Sequence, residues 1–135
     1  MSFFQTLMAS PPSTPLSRYT ALNGAFYMAF GALTYAWPGV VQVVLMGAPF
    51  AGREEGMMRL AGFTVAVIGW FYVMGARTRA ASFGLATIVD RALVPVFLLP
   101  LGLSGAVEPM VVGTFAVLDP LLALGAFIIW RRTRG

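Results

Sequence analysis

Two consecutive apolar runs, each long enough to cross a bilayer, carry charged residues near their middles. The run from Ala80 to Leu103 holds an adjacent acid and base, Asp90 and Arg91, and the run from Pro109 to Trp130 holds Asp119 followed by Pro120. About 20 apolar residues suffice to span about 30 Å of hydrocarbon as a helix. An ionised group at mid-depth costs several kcal/mol unless it faces protein, water or an opposite charge. The chain is therefore restricted to folds in which helices turn these residues towards one another.

Composition agrees. Of 135 residues, 59% are hydrophobic and only 10% charged, with a mean hydropathy of +0.81. Soluble domains of this size carry about a quarter charged residues, so one membrane-embedded domain, residues 1–135, is expected. The chain has no cysteine, histidine or lysine. Disulfides, thiolate chemistry, Schiff bases and the usual metal and haem ligands are thereby excluded, and no cofactor or metal is expected. Carboxylate, arginine, tyrosine and hydroxyl groups remain for chemistry. The net charge of +4 rests wholly on arginines, several of them directly after an apolar run at Arg131, Arg132 and Arg134. That placement fits a membrane anchor and not a nucleic-acid partner.

The punctuation of the chain predicts an all-α integral membrane protein, an antiparallel bundle of four transmembrane helices. The spans are about 18–37, 57–76, 80–103 and 109–130, the first capped by Ser17 and closed by Pro38-Gly39. Residues 40–52 hold too short an apolar stretch to cross and form an interfacial segment, as a short helix or in extended form. Met1 to Ser17, broken by Pro11, Pro12 and Pro15, reads as a cytoplasmic tail without a cleavable signal. Arg18, Arg77, Arg79, Arg131, Arg132 and Arg134 share one side, with Arg53 and Arg59 towards the other. The arginine excess puts both termini in the cytoplasm and the chain in the cell inner membrane, multi-pass. Trp37, Trp70, Tyr72 and Trp130 sit near span ends as interfacial anchors.

On a period of 3.6 residues, Tyr19, Asn23, Tyr27, Phe30 and Thr34 form one stripe of the first span. Arg59 aligns with Gly62, Ala66 and Gly69 in the second, Thr87 lies one turn before Asp90 and Arg91 in the third, and Asp119 shares a face with Ala116, Ala123 and Ala126. Small residues beside a polar one favour close helix contact in lipid, so the four stripes are expected to converge. At 1.5 Å per residue, Asp90 and Arg91 lie roughly 12–15 Å from the cytoplasmic ends of their helices and Asp119 roughly 16 Å. An Asp119–Arg91 ion pair follows, with Glu55 as the partner of Arg59. Pro95 and Pro120 free the carbonyls of Arg91 and Ala116, which predicts a cavity beside the charges. The candidate ligand-binding residues are Asn23, Tyr27, Arg59, Thr87, Asp90, Arg91 and Asp119.

The run Glu55-x-x-x-Arg59-x-x-Gly62, with Gly69, Tyr72 and Ala76-Arg77, resembles small bacterial membrane proteins of the DoxX and BphX-like kind. The resemblance covers mainly the second span and implies a four-helix inner-membrane bundle. The thiosulfate–quinone activity of one branch of that family does not carry over, because no redox motif is matched.

Three functions fit these residues. The leading one is the binding or transport of a small or lipophilic ligand in a polar intramembrane pocket built on Asp90, Arg91 and Asp119, working as a homo-oligomer. The second is an acid–base enzyme, an isomerase or cyclase acting on a lipophilic substrate, with Asp90 and Asp119 as its catalytic carboxyls. The third is an accessory subunit of a larger membrane complex, in which a buried Asp–Arg pair serves only to set helix register.

Overall fold

The computed structural model describes residues 2–78 and 80–134, the side chain of Arg134 excepted. Met1, Arg79, Gly135 and that side chain lie outside the described residues, including their part in the arginine count above. Every regular element among the described residues is helical.

The proline-rich start is not a plain tail. Ser2 and Gln5 bond reciprocally across the first turn of α1 (Phe3–Met8), satisfying donors that a helix start leaves open. Arg77 donates to the Met8 carbonyl at 2.5 Å, tying this helix to the body. Helix α2 (Pro15–Ala36) starts earlier than expected. Thr14 is its cap, Pro15 fills the first position, and Ser17 bonds back to Thr14 as the second half of a capping box. The helix ends at Trp37, before Pro38. The interfacial segment contains α3 (Gly39–Val44) and then an irregular stretch.

Helix α4 (Glu54–Gly75) includes both glutamates in its first turn, where negative charge suits the helix dipole, and Glu54 also accepts from the Ala51 N–H at 2.7 Å. A 3-10 turn (Ala76–Thr78) leads to α5 (Ala81–Leu103), and α6 (Pro109–Arg134) ends the fold. Both α5 and α6 run through their internal prolines.

Three helices, α4, α5 and α6, are long and apolar enough to cross a membrane. Helix α2, expected as the first span, is not among them despite its 22 residues. Tyr19, Thr20, Asn23, Tyr27, Thr34 and Tyr35 dilute its apolar content. Most of that polar stripe is covered, however: Thr20, Asn23, Tyr27 and Thr34 are buried.

Glycines set how α2 meets α4. Gly24 lies against Gly69, and Gly31 against Gly62 and Ala66, backbone to backbone. Residue numbers rise along one helix as they fall along the other. A β-carbon on Gly62 would stand 2.8 Å from the Gly31 carbonyl oxygen, so neither helix has room for one there. Helices α5 and α6 form the second close pair, and α2 also touches both of them. The contact between α4 and α5 is slight.

Polarity is distributed inside out. Leu22, Phe71, Phe97 and Leu121 are exposed, whereas Thr20, Asn23, Thr34, Thr87, Arg91 and Asp119 are buried.

Candidate functional site

Arg91 occupies the centre. It is 1% exposed and is the largest of the fully buried side chains. Its guanidinium carbon lies 4.7 Å from the centroid of the Tyr72 ring and 5.8 Å from that of Tyr27. The two rings meet edge to face, 5.9 Å apart at 76°. A cation over an aromatic face is attracted by the ring quadrupole, and burial strengthens the attraction.

Each tyrosine also engages an acid. The Tyr27 hydroxyl donates to Asp119 Oδ1, and the Tyr72 hydroxyl donates to Asp90 Oδ2. The centre is therefore one cation between two tyrosines, each of which ties a carboxyl on α6 or α5 to α2 or α4.

This arrangement corrects several expectations. Arg91 and Asp119 form no ion pair within 4 Å; the only ion pair among the described residues joins Arg59 to Glu55. Asp90 does not face the interior with Arg91. Neighbours on a helix stand about 100° apart, and the rotation that buries Arg91 leaves Asp90 exposed. Thr87 is buried, but its hydroxyl is spent on the Gly84 carbonyl one turn back, at 2.8 Å. Arg59 lies elsewhere. It donates to the carbonyls of Tyr35 at 2.6 Å and Ala36 at 3.1 Å and to Glu55 at 2.9 Å, closing the end of α2, whose last carbonyls lack helical donors. Asn23 and Tyr27 are buried on the α2 face that meets the other helices.

Two further residues matter. Tyr72, read above as an anchor and as one of the residues of the resemblance but not as part of the site, shares a helix face with Gly62, Gly69 and Ala76, and that spacing was the signal for its inward position. Thr20 lies one turn before Asn23 and Gly24 on the same stripe, and its burial is complete.

The largest share of the unused bonding capacity is on Arg91. Arg91 Nε, Nη1 and Nη2, Asn23 Nδ2 and Thr20 Oγ1 are buried without a hydrogen-bond partner among the described residues, as are Thr34 Oγ1 and Arg77 Nε elsewhere in the fold. A buried polar group left unbonded costs about 1–3 kcal/mol, and more when charged. The nearest acidic groups are already held by tyrosines. The guanidinium thus stands among oxygens that are paired with one another, with none in hydrogen-bond geometry to it. Among the described residues no three carboxylate, imidazole or thiolate side chains gather to hold a metal ion.

The sequence predicts a cavity beside Pro95 and Pro120; the two cavities described lie at the helix ends instead and are not lined by either proline. One, of about 350 Å³, lies between Leu16, Thr20, Phe83 and Gly84; the other, of about 550 Å³, lies between Gln42, Glu54, Met58 and Glu108. Neither is lined by Arg91, Asp90 or Asp119. No protein-family model, curated protein or solved structure matches this chain.

Proposed function

We propose that the chain is a multi-pass protein of the cell inner membrane that binds a small lipophilic ligand in its interior, holding an acceptor oxygen of that ligand on Arg91. The carrying observation is a guanidinium 1% exposed whose three nitrogens have no acceptor among the described residues. Apolar side chains outside and polar ones inside support the membrane setting, because lipid solvates the first and not the second. In this reading α2 is the fourth span of an antiparallel bundle. Its polar stripe is turned to protein, and the opposed numbering of the α2–α4 glycine contacts favours the up-and-down order. The arginine-rich ends, with both termini, lie in the cytoplasm. A homo-oligomer supplies the wider enclosure that transport requires.

The residues that carry the DoxX-like resemblance lie on the α4 face towards α2, with Arg59 capping that helix and Gly62 and Gly69 packing on it. The resemblance therefore supports a shared way of packing and not a shared chemistry.

The test uses Prodan, an uncharged lipophilic aryl ketone whose emission responds to hydrogen bonding at its carbonyl. Full-length protein in phosphatidylcholine nanodiscs is expected to bind it saturably. Arg91→Gln weakens binding by at least about tenfold, as loss of a charged hydrogen bond requires. Arg91→Lys retains part of it, and Arg59→Ala leaves it unchanged. Saturable binding that is absent, or indifferent to Arg91→Gln, rejects the proposal and leaves the accessory-subunit reading.

The flanking Tyr–Asp pairs favour a second reading, acid–base catalysis on the bound carbonyl compound. Arg91 would polarise the carbonyl while a carboxylate takes a proton from the adjacent carbon. Exchange of that hydrogen for deuterium in heavy water, lost in Asp119→Asn, is its signature. Binding without exchange leaves the carrier reading alone.

A further inference from the structure

We propose that the ligand is an uncharged lipophile bearing a carbonyl oxygen, that it reaches Arg91 sideways from the lipid between α4 and α5, and that the Tyr72–Asp90 hydrogen bond is the latch on this route. The inference rests on the preceding reading of Arg91 as a binding site and names its ligand class and its entrance.

Three observations carry it. The first is the position of Asp90. It is exposed at mid-helix beside Val89, 60% exposed, and Leu93, 46% exposed, yet its carboxyl is held by a tyrosine that is itself buried and carries Arg91 on its ring. One hydrogen bond thus connects the outer surface of the protein to the cation at its centre.

The second is the unequal strength of the helix contacts. Helices α2 and α4 are locked by glycine backbones, and α5 and α6 form an extended pair. Helices α4 and α5 touch little. Their seam is closed towards the connecting turn by Phe83, whose ring lies on Gly75 and 6.4 Å from that of Tyr72. Beyond Phe83, the seam is joined by the Tyr72–Asp90 hydrogen bond and by the Arg91 guanidinium lying on the Tyr72 ring. Parting α4 from α5 breaks that bond and lifts Arg91 and Phe83 from the Tyr72 ring, all side-chain contacts, whereas parting α2 from α4 breaks a close-packed backbone interface. The α4–α5 opening leads straight to Arg91.

The third is charge. Asp119 is already buried with the one cation, and Asp90 is held at the edge of the site by Tyr72, so an anionic ligand adds a further like charge in a medium that screens poorly. A carbonyl oxygen accepts from the guanidinium without adding any. An uncharged molecule also crosses the apolar seam without the cost of carrying a charge through hydrocarbon.

The natural chain has no cysteine, so a staple can be placed across the seam alone. Ile68 and Val94 lie one turn beyond Tyr72 and Asp90 on their respective helices, and neither belongs to the proposed site. Full-length Ile68→Cys/Val94→Cys protein in phosphatidylcholine nanodiscs is joined with a cleavable bismaleimide, and Prodan exchange is followed by stopped flow. The staple is expected to slow association and dissociation together by at least about tenfold, with Kd unchanged, and both rates return on cleavage. Unaltered rates with an intact Kd overturn the lateral route and leave the binding site standing. If the cleaved protein shows no saturable, Arg91-dependent binding, the underlying reading itself has failed. Decanoate, an anion with an apolar chain, is expected not to displace Prodan. Displacement at comparable concentration overturns the uncharged ligand class.

Discussion

Valine in place of Gly31 is expected to force α2 away from α4 and to destabilise the protein by about 3 kcal/mol, at the upper end of what overpacking costs. The atoms that a side chain would meet are the Gly62 carbonyl oxygen, at 2.5 Å from the first added carbon, and the Ala66 backbone, with its α-carbon at 2.9 Å. Backbone cannot swing aside as a flexible side chain does, so the helices themselves must separate. Small residues let helix backbones approach in lipid, and dispersion at that distance is the attraction to be lost. Gly56, in the first turns of the same α4, provides the comparison, because a β-carbon there meets nothing within 4 Å. Gly56→Ala should be neutral or stabilising by up to about 1 kcal/mol through helix propensity. Unfolding of the full-length protein by dodecyl sulfate in mixed micelles measures both. Equal midpoints for Gly31→Val and the unaltered protein would rule out the glycine contact as the element that holds α2.

Arg91→Leu should cost about as much or more, by a different route. Removing a cation from a buried ionic centre typically costs about 3–5 kcal/mol, because it leaves charge behind without compensation. Here it strips the rings of Tyr27 and Tyr72 of their cation and leaves Asp119, 7% exposed, near a second acid with no opposing charge. Arg91→Leu combined with Asp119→Asn is expected to recover more than half of the loss. The asparagine oxygen still accepts from the Tyr27 hydroxyl, and one uncompensated charge has gone. Groups in one network do not add, and that recovery is the mark of it. The same dodecyl sulfate titration applies. A double variant no more stable than Arg91→Leu alone would show that Arg91 and Asp119 do not share an electrostatic centre, whatever their common burial.

Element positions were largely legible because their causes are local. Pro38-Gly39, the Ser104–Glu108 turn and the apolar runs between them delimit helices within a few residues of those observed. The differences arise at caps. Thr14 and Ser17 act as a pair and move the start of α2 forward, and Glu54 and Glu55 stabilise the first turn of α4 that they had been expected to precede. The polar stripe of α2 was equally readable, since a period of 3.6 residues assigns a face without reference to any neighbour.

Partnership was not legible. The pattern on α5 put two charged residues side by side, and only one of them can face inward. Which one is decided by the rotation of α5 against the other helices, and that rotation depends on packing contributed by all of them. The outcome buries Arg91 between two tyrosine rings and leaves Asp90 at the surface, reached from the interior by the Tyr72 hydroxyl. Arg59 shows the same limit. Its neighbour Glu55 was visible four residues away, but the carbonyls of Tyr35 and Ala36 come within reach only when α2 ends beside it. By itself, then, the order of residues determined where the chain is helical, which faces are polar and that charge must be buried. The tertiary structure alone decided which charge meets which donor, because a helix repeats every 5.4 Å along its own axis and carries no record of its neighbour's phase.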